Sequence, residues 1–223
     1  MTGEQRISLI AAASSRRVTA VDLVRESLRS AILRGDLPGG TRLVQTEIAS
    51  QLDVSTTPVR EAMRDLASEG LITLDSHRIG TVRQPDWEEM SEIVEIRRAL
   101  EPVALQRAMG NLTESHMAQA RELAIELQQD MDLGTWVQKN AEFHSIFHKA
   151  SSTRRLASFL VALESAGGVF VAQAQRLHPD IREQAIADHF ALLDALEAND
   201  IETAIEIQRR HVNLPLEAAE MDA

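Results

Sequence analysis

Apolar residues recur at helical spacing through most of this chain, interrupted by short extended stretches near residues 41–44, 71–74 and 80–83. Val21, Val24, Leu28 and Ile32 predict an opening amphipathic helix, stopped by Gly35-Asp36-Leu37-Pro38-Gly39-Gly40. Two short stripes follow, Ile48, Ala49 and Leu52, then Val59, Met63 and Leu66, with Asp53 in the turn between them. Asp tolerates the left-handed backbone such a turn needs. Ser55 stands where a helix cap is expected and Pro58 fits a first turn. The pattern is that of a helix-turn-helix. Glu69-Gly70 ends its second helix. Leu71–Leu74 and Gly80–Arg83 then predict a two-stranded wing around the loop Asp75–Ile79, with Thr41–Val44 as a third short strand.

These elements make a winged helix over residues 18–84, preceded by an extension at 1–17. From Asp86 onward the pattern is helical, over about 86–109, 114–132, 134–150, 153–175, 181–198 and 200–214. The expected fold is mainly α: an N-terminal winged helix-turn-helix, then an antiparallel all-α bundle of about six helices over residues 85–223. A loose acidic tail is expected after Pro215.

Charge refines this division. The chain carries −11 overall, yet residues 1–84 hold eleven Arg against ten Asp and Glu, so the acidity lies in the second half. A basic contact surface on the first half is therefore compatible with the acidic total. The hydroxyls of Ser55, Thr56 and Thr57, with Arg60, lead the second helix of the motif, and His77, Arg78 and Gly80 belong to the wing that would lie near the minor groove. There is no cysteine, which accords with a reducing cytoplasm. No apolar run of membrane-spanning length is read, and Ile7–Ala13 is too short and broken for a signal peptide.

Polar residues on the apolar faces of the bundle supply the candidate chemistry. Asn140 and His144 lie one turn apart on the stripe of Trp136, Phe143 and Phe147. His189 falls on the face of Ile186, Phe190, Leu193 and Leu196, and His211 beside that of Ile201, Ala204, Ile205 and Val212. If the break at Asn199-Asp200 turns a hairpin, His189 and His211 come to the same height. Four nitrogen and oxygen donors converging in a bundle suit a divalent metal. Zinc is the first expectation, with nickel, manganese or iron as other ions such donors hold. The alternative is that each is a hydrogen-bonded core residue. His148 is one turn further along the same stripe, while His116 and His178 are read as surface residues. Arg97, in the first bundle helix, could clamp a carboxylate ligand.

The sequence resembles the GntR family of bacterial transcription regulators, of the FadR type with an FCD ligand-binding domain. The stretches that carry the resemblance are Val54-Ser55-Thr56-Thr57-Pro58-Val59-Arg60-Glu61-Ala62-Met63, Glu95-Ile96-Arg97 to Leu100-Glu101, Asn140-Ala141-Glu142-Phe143-His144 and Asp188-His189-Phe190 to Leu196, followed by His211. It implies a ligand-responsive DNA-binding regulator, a repressor, acting as a homodimer on a palindromic operator. It also implies that the metal is held by Asn140, His144, His189 and His211, and that a small carboxylate effector uses Arg97. Thr46 and Thr56 stand where the family has guanine-reading arginines, so a different operator is expected; Arg60 matches. Asn140 replaces the family's usual Asp. Two rivals remain: a metal-dependent helical enzyme fused to a winged helix, and a metal-free regulator with an apolar ligand. Against di-iron chemistry, no Glu stands three residues before any of the seven histidines.

Overall fold

The computed structural model describes residues 19–75, 79–84 and 86–221. The order is α1 (Ala20–Arg34), β1 (Arg42–Leu43), α2 (Gln45–Gln51), α3 (Thr56–Ser68), β2 (Ile72–Leu74) and β3 (Gly80–Val82) in the first half. The second half is α4 (Trp87–Met109), α5 (Glu114–Leu127), α6 (Leu133–Ala150), α7 (Arg154–Leu177), α8 (Asp180–Glu197) and α9 (Ile201–Met221). The mainly α reading holds, with an antiparallel three-stranded sheet ordered β1-β3-β2 as the wing.

Local chemistry sets the ends of these elements. Thr19 and Asp22 form a reciprocal capping box at the start of α1, and Gly35 closes it at φ 87°. Asp53 takes φ 52° in the turn between α2 and α3, as the sequence requires. Ala49, Val59, Met63 and Leu66 are buried where the two helices meet α1 and the sheet. At Gly80 an added Cβ would lie 2.5 Å from Met63 Cε and 3.3 Å from Leu43 Cβ, so a side chain there would force Met63 to shift.

Two expectations about the bundle change. Gly134, read as a break, is the second residue of α6; a Cβ there would come 3.1 Å from Ser30 Cα, so glycine lets α1 lie close against α6. The tail after Pro215 is not loose: α9 runs through it to Met221, with Leu214, Pro215 and Ala218 buried. Proline forfeits one backbone hydrogen bond inside a helix, and that apolar burial offsets the loss. Helix α7 is long and apolar enough to cross a membrane by length and composition alone. Its buried face, including Leu160, Val169, Phe170 and the charged Glu164, packs within the bundle.

One apolar core crosses between the halves. Val24, Leu28 and Ile32 of α1 join Trp136 and Val137 of α6 and Phe170 of α7. Ser30 donates to Asp132 at 3.2 Å, and Arg176 donates to the Leu33 carbonyl at 3.1 Å. A second core at the far end of the bundle is built from Phe143, Phe147, Leu192, Leu193, Leu196 and Ile205. The polar centre lies between the two.

Because the first core is shared, damage to α1 must be felt by the bundle. Leu28→Ala should cost about 2–5 kcal/mol and lower the urea midpoint read at buried Trp136. A midpoint unchanged at Trp136 while the winged half unfolds earlier would mean that the halves are energetically separate.

Candidate nucleic-acid interface and metal centre

Helix α3 buries Val59, Ala62, Met63 and Leu66 and turns Thr56, Thr57, Glu61 and Arg64 outward. Ser55 has the extended backbone of an N-cap, but its hydroxyl makes no capping hydrogen bond. Thr46 on α2 and Ser55 are exposed beside it, and Arg60 is half-buried with its Nε lacking a hydrogen-bond partner. Arg64 lies one turn beyond Arg60 and adds a second cation to that helix; the i,i+4 spacing was the available signal. Gly80 is buried at the base of the wing, close against Met63. His77 and Arg78 lie outside the described residues.

In the bundle, α6, α8 and α9 bring His144, His189 and His211 together, all buried, with ligating atoms within 4.8 Å of one another. His144 Nε2 and His211 Nε2 are 3.0 Å apart. The ring of His189 is 5.2 Å from that of His144 and 4.7 Å from that of His211, centroid to centroid. Neither nitrogen of His189 has a hydrogen-bond partner, and the Oδ1 of buried Asn140 also lacks one. Burial pushes the His144 imidazole well below its ordinary value, and nearby His211, His189 and Arg97 push it further. His189 is driven down by burial and then by His211. Both rings are therefore neutral, the form that binds metal.

Behind the histidines stands a residue the sequence reading did not single out. Asp188 is 1 % exposed, and its Oδ2 lies 3.8 Å from His211 Nδ1 while Oδ1 accepts from Gln184 and Arg210. Burial alone would raise its pKa, but His211, Arg210 and Gln184 hold the carboxyl below its ordinary value. A carboxylate on the Nδ1 side favours the tautomer whose Nε2 lone pair faces inward, the usual support of a metal-bound imidazole. Its position beside His189 in the sequence gave no hint that it serves His211. His148 is buried but apart from the trio, 3.6 Å from Glu101. His116 completes the capping box of α5, and His178 caps the end of α7.

Arg97 does point into the centre, but its guanidinium is already engaged. Nε donates to Glu101 at 2.7 Å and Nη2 pairs with Glu164 at 2.5 Å, all three side chains being buried. The other Glu101 oxygen accepts from Gln208. Burial opposes the charge on Glu101, yet Arg97 and His148 bring its pKa down to about 2. Asn140 Nδ2 reaches Glu164 Oε1 at 3.4 Å, joining the arginine network to the histidines. A cavity of about 20 Å³ touches Arg97, Asn140, Glu164, Gln175 and His211.

Comparison with known proteins decides the family. Residues 21–82 match the model for bacterial regulatory proteins of the gntR family, and residues 92–214 match the FCD domain. The chain belongs to the GntR family. It is 34 % identical over 201 residues to a probable D-xylose utilization operon transcriptional repressor of Paenarthrobacter nicotinovorans, covering 88 % of this chain and 87 % of that one. It is 30 % identical over 191 residues to the HTH-type transcriptional regulator McbR of Escherichia coli (strain K12), covering 80 % and 83 %. The solved structure of E. coli McbR/YncC superposes with a TM-score of 0.75 at 26 % identity, over 93 % of this chain and all of that one. A GntR regulator from Rhodococcus sp. RHA1 gives 0.66 at 25 % identity, over 91 % and 96 %. This GntR protein is thus a transcriptional regulator with an FCD domain, and its relatives are regulators rather than enzymes, which sets aside the fused-enzyme reading.

The Arg97–Glu101 pair yields a pH signature. Glu101 is about 2 when folded against an ordinary value of 4.5, so its contribution is complete above about 4.5 and is lost as pH falls toward 2. Glu101→Gln should cost about 3 kcal/mol at neutral pH, as expected for breaking a buried pair, with the gap to wild type closing below pH 4. Chemical denaturation at a series of pH values measures this, and a gap independent of pH would assign the loss to packing.

Proposed function

We propose that this GntR regulator is a cytoplasmic repressor that binds a palindromic operator as a homodimer and responds to a small carboxylate metabolite. In this reading residues 18–84 contact DNA and residues 85–223 carry the metal, the effector and the dimer contacts. The exposed hydroxyls of Ser55, Thr56 and Thr57 and the cations Arg60 and Arg64 on one helix suit phosphate and base edges. The wing residues His77 and Arg78 are proposed for the adjacent minor groove, and Thr46 for the position where relatives carry a base-reading arginine.

The observation that carries the sensing half is the set of orphaned donors on His189 and Asn140 beside His144 and His211. Buried polar atoms are normally hydrogen-bonded, and a divalent ion at Asn140, His144, His189 and His211 would engage Asn140 Oδ1 and one ring nitrogen of His189. The residues fit such an ion: two of the imidazoles are held neutral and Asp188 supports a third. Zinc is the favoured ion, with nickel, manganese or iron compatible with the same donors. When bound, the ion offers a Lewis-acidic seat for a carboxylate oxygen. Arg97 lines the adjoining cavity and holds the remainder of the acid. A metal-free core that takes an apolar ligand would leave those imidazole nitrogens unsatisfied. The repressor assignment draws on the name of the P. nicotinovorans relative.

Two measurements test the two halves. Full-length protein should shift promoter fragments from its own gene and neighbouring genes, with affinity falling steeply as salt rises through counterion release. Arg60→Ala should weaken that binding on the order of tenfold while leaving the melting temperature unchanged; no shift of any fragment at low salt would oppose the reading. Elemental analysis should find one divalent ion per chain. His189→Ala and His211→Ala should each lose it and abolish the rise in melting temperature that metal confers by linkage. Unchanged metal content in both variants would leave only core histidines.

A further inference from the structure

The group expected to receive an effector acid already holds one belonging to the protein. Arg97 contacts two buried glutamates, and they differ in how firmly they are tied. Glu101 lies on the same helix as Arg97 and is fixed further by Gln208 and His148. Glu164 comes from α7, and among the described residues its second oxygen accepts one long contact, 3.4 Å from Asn140 Nδ2. Of the two, Glu164 is the one free to leave.

Space around Glu164 is distributed unevenly. On the Arg97 and His211 side the cavity is about 20 Å³, room for one water and not for a molecule with a carboxylate and a carbon chain. Glu164 also lines a second cavity of about 220 Å³. Its walls include Arg29, Leu33, Glu69 and Leu71 from the winged half and Lys149 from the bundle. An acid reaching Arg97 needs the seat that Glu164 fills, and the larger cavity offers a place for the displaced side chain. Two cations stand there. Arg29 Nε is buried without a hydrogen bond, with Glu26 at 3.8 Å, and among the described residues Lys149 Nζ donates to Ser145 at 3.3 Å.

We propose that Glu164 is a built-in competitor of the effector: it occupies Arg97 in the effector-free protein, and an incoming carboxylate binds by displacing it into the cleft beneath α1. This rests on the reading of Arg97 as the acid-binding group. It selects for anions, because a neutral ligand cannot replace the charge that Arg97 would lose. It also gives the displacement a route to DNA. Arg29 pairs with Glu69 at 2.6 Å, and Glu69 is the residue that ends helix α3. A second carboxylate arriving at Arg29 competes for that pair.

Glu164→Gln tests this in metal-loaded, full-length protein. The amide keeps the size of the side chain, and Arg97 keeps one of its two charged partners, Glu101. Calorimetric titration with acetate, lactate, malonate, succinate and citrate should show that an acid binds the variant on the order of tenfold or more tightly than wild type, because the competing state is weakened. The chain has no cysteine, so Ser165→Cys on the rim of the cleft can carry one environment-sensitive dye. Its signal should change when acid binds, and that change should vanish when Glu164→Ala is added. Acid binding that is lost in Arg97→Lys but equal or weaker in a folded Glu164→Gln would overturn the competitor and spare the acid reading. No binding of any acid to either wild type or Glu164→Gln would overturn both.

Discussion

Placing four imidazoles, a guanidinium and three carboxylates inside an Ala- and Leu-rich bundle imposes the constraint on which the rest of this structure depends. Each buried charge is tolerable only with a partner at close range. Arg97 is therefore held between Glu101 and Glu164, and Glu101 is held in turn by Gln208. These contacts tie α4, α7 and α9 around one point. The imidazoles of α6, α8 and α9 remain incompletely satisfied within the protein, with both His189 nitrogens and one of His211 lacking a partner. The orphaned ring nitrogens of the histidine cluster are what support its reading as a binding centre, with the arginine network beside it.

The same centre sits one layer below the DNA-binding half. Helix α1 belongs to both: Val24, Leu28 and Ile32 complete the core of the helix-turn-helix and pack on Trp136, Val137 and Phe170 of the bundle. Gly134 permits that approach by leaving room for Ser30. Helix α6 therefore carries Trp136 against α1 and Asn140 and His144 toward the polar centre within the same few turns. Helix α6 thus connects the centre to α1, and α1 contacts the end of α3 through Arg29 and Glu69.

Much of this was legible along the chain because periodicity reports burial directly. The helix-turn-helix, its Asp53 turn, the wing and the bundle helices follow from apolar spacing and from Gly, Pro and Asp punctuation. The histidines were legible because each lies in phase with an apolar face. Glu164 and Asp188 were not: an acid on a helix ordinarily signals a solvated face, and only the arrival of Arg97 from α4 and of Arg210 and His211 from α9 makes their burial tolerable. Arg97 was recognised, but its existing partners depend on tertiary packing that spacing does not encode. Gly134 and Pro215 misled for the complementary reason, since each is a local breaker kept within a helix by what packs against it.

Hydrogen exchange on chelator-treated and zinc-loaded protein, resolved by peptide, tests most directly whether the polar centre governs the DNA-binding half. Metal should slow exchange around residues 140–148, 185–192 and 207–214, and also in α1 over residues 20–34, which shares its core with α6. Slowing confined to the three histidine segments, with α1 unchanged, would contradict the coupling, and no slowing in any of the four segments would contradict the metal centre itself.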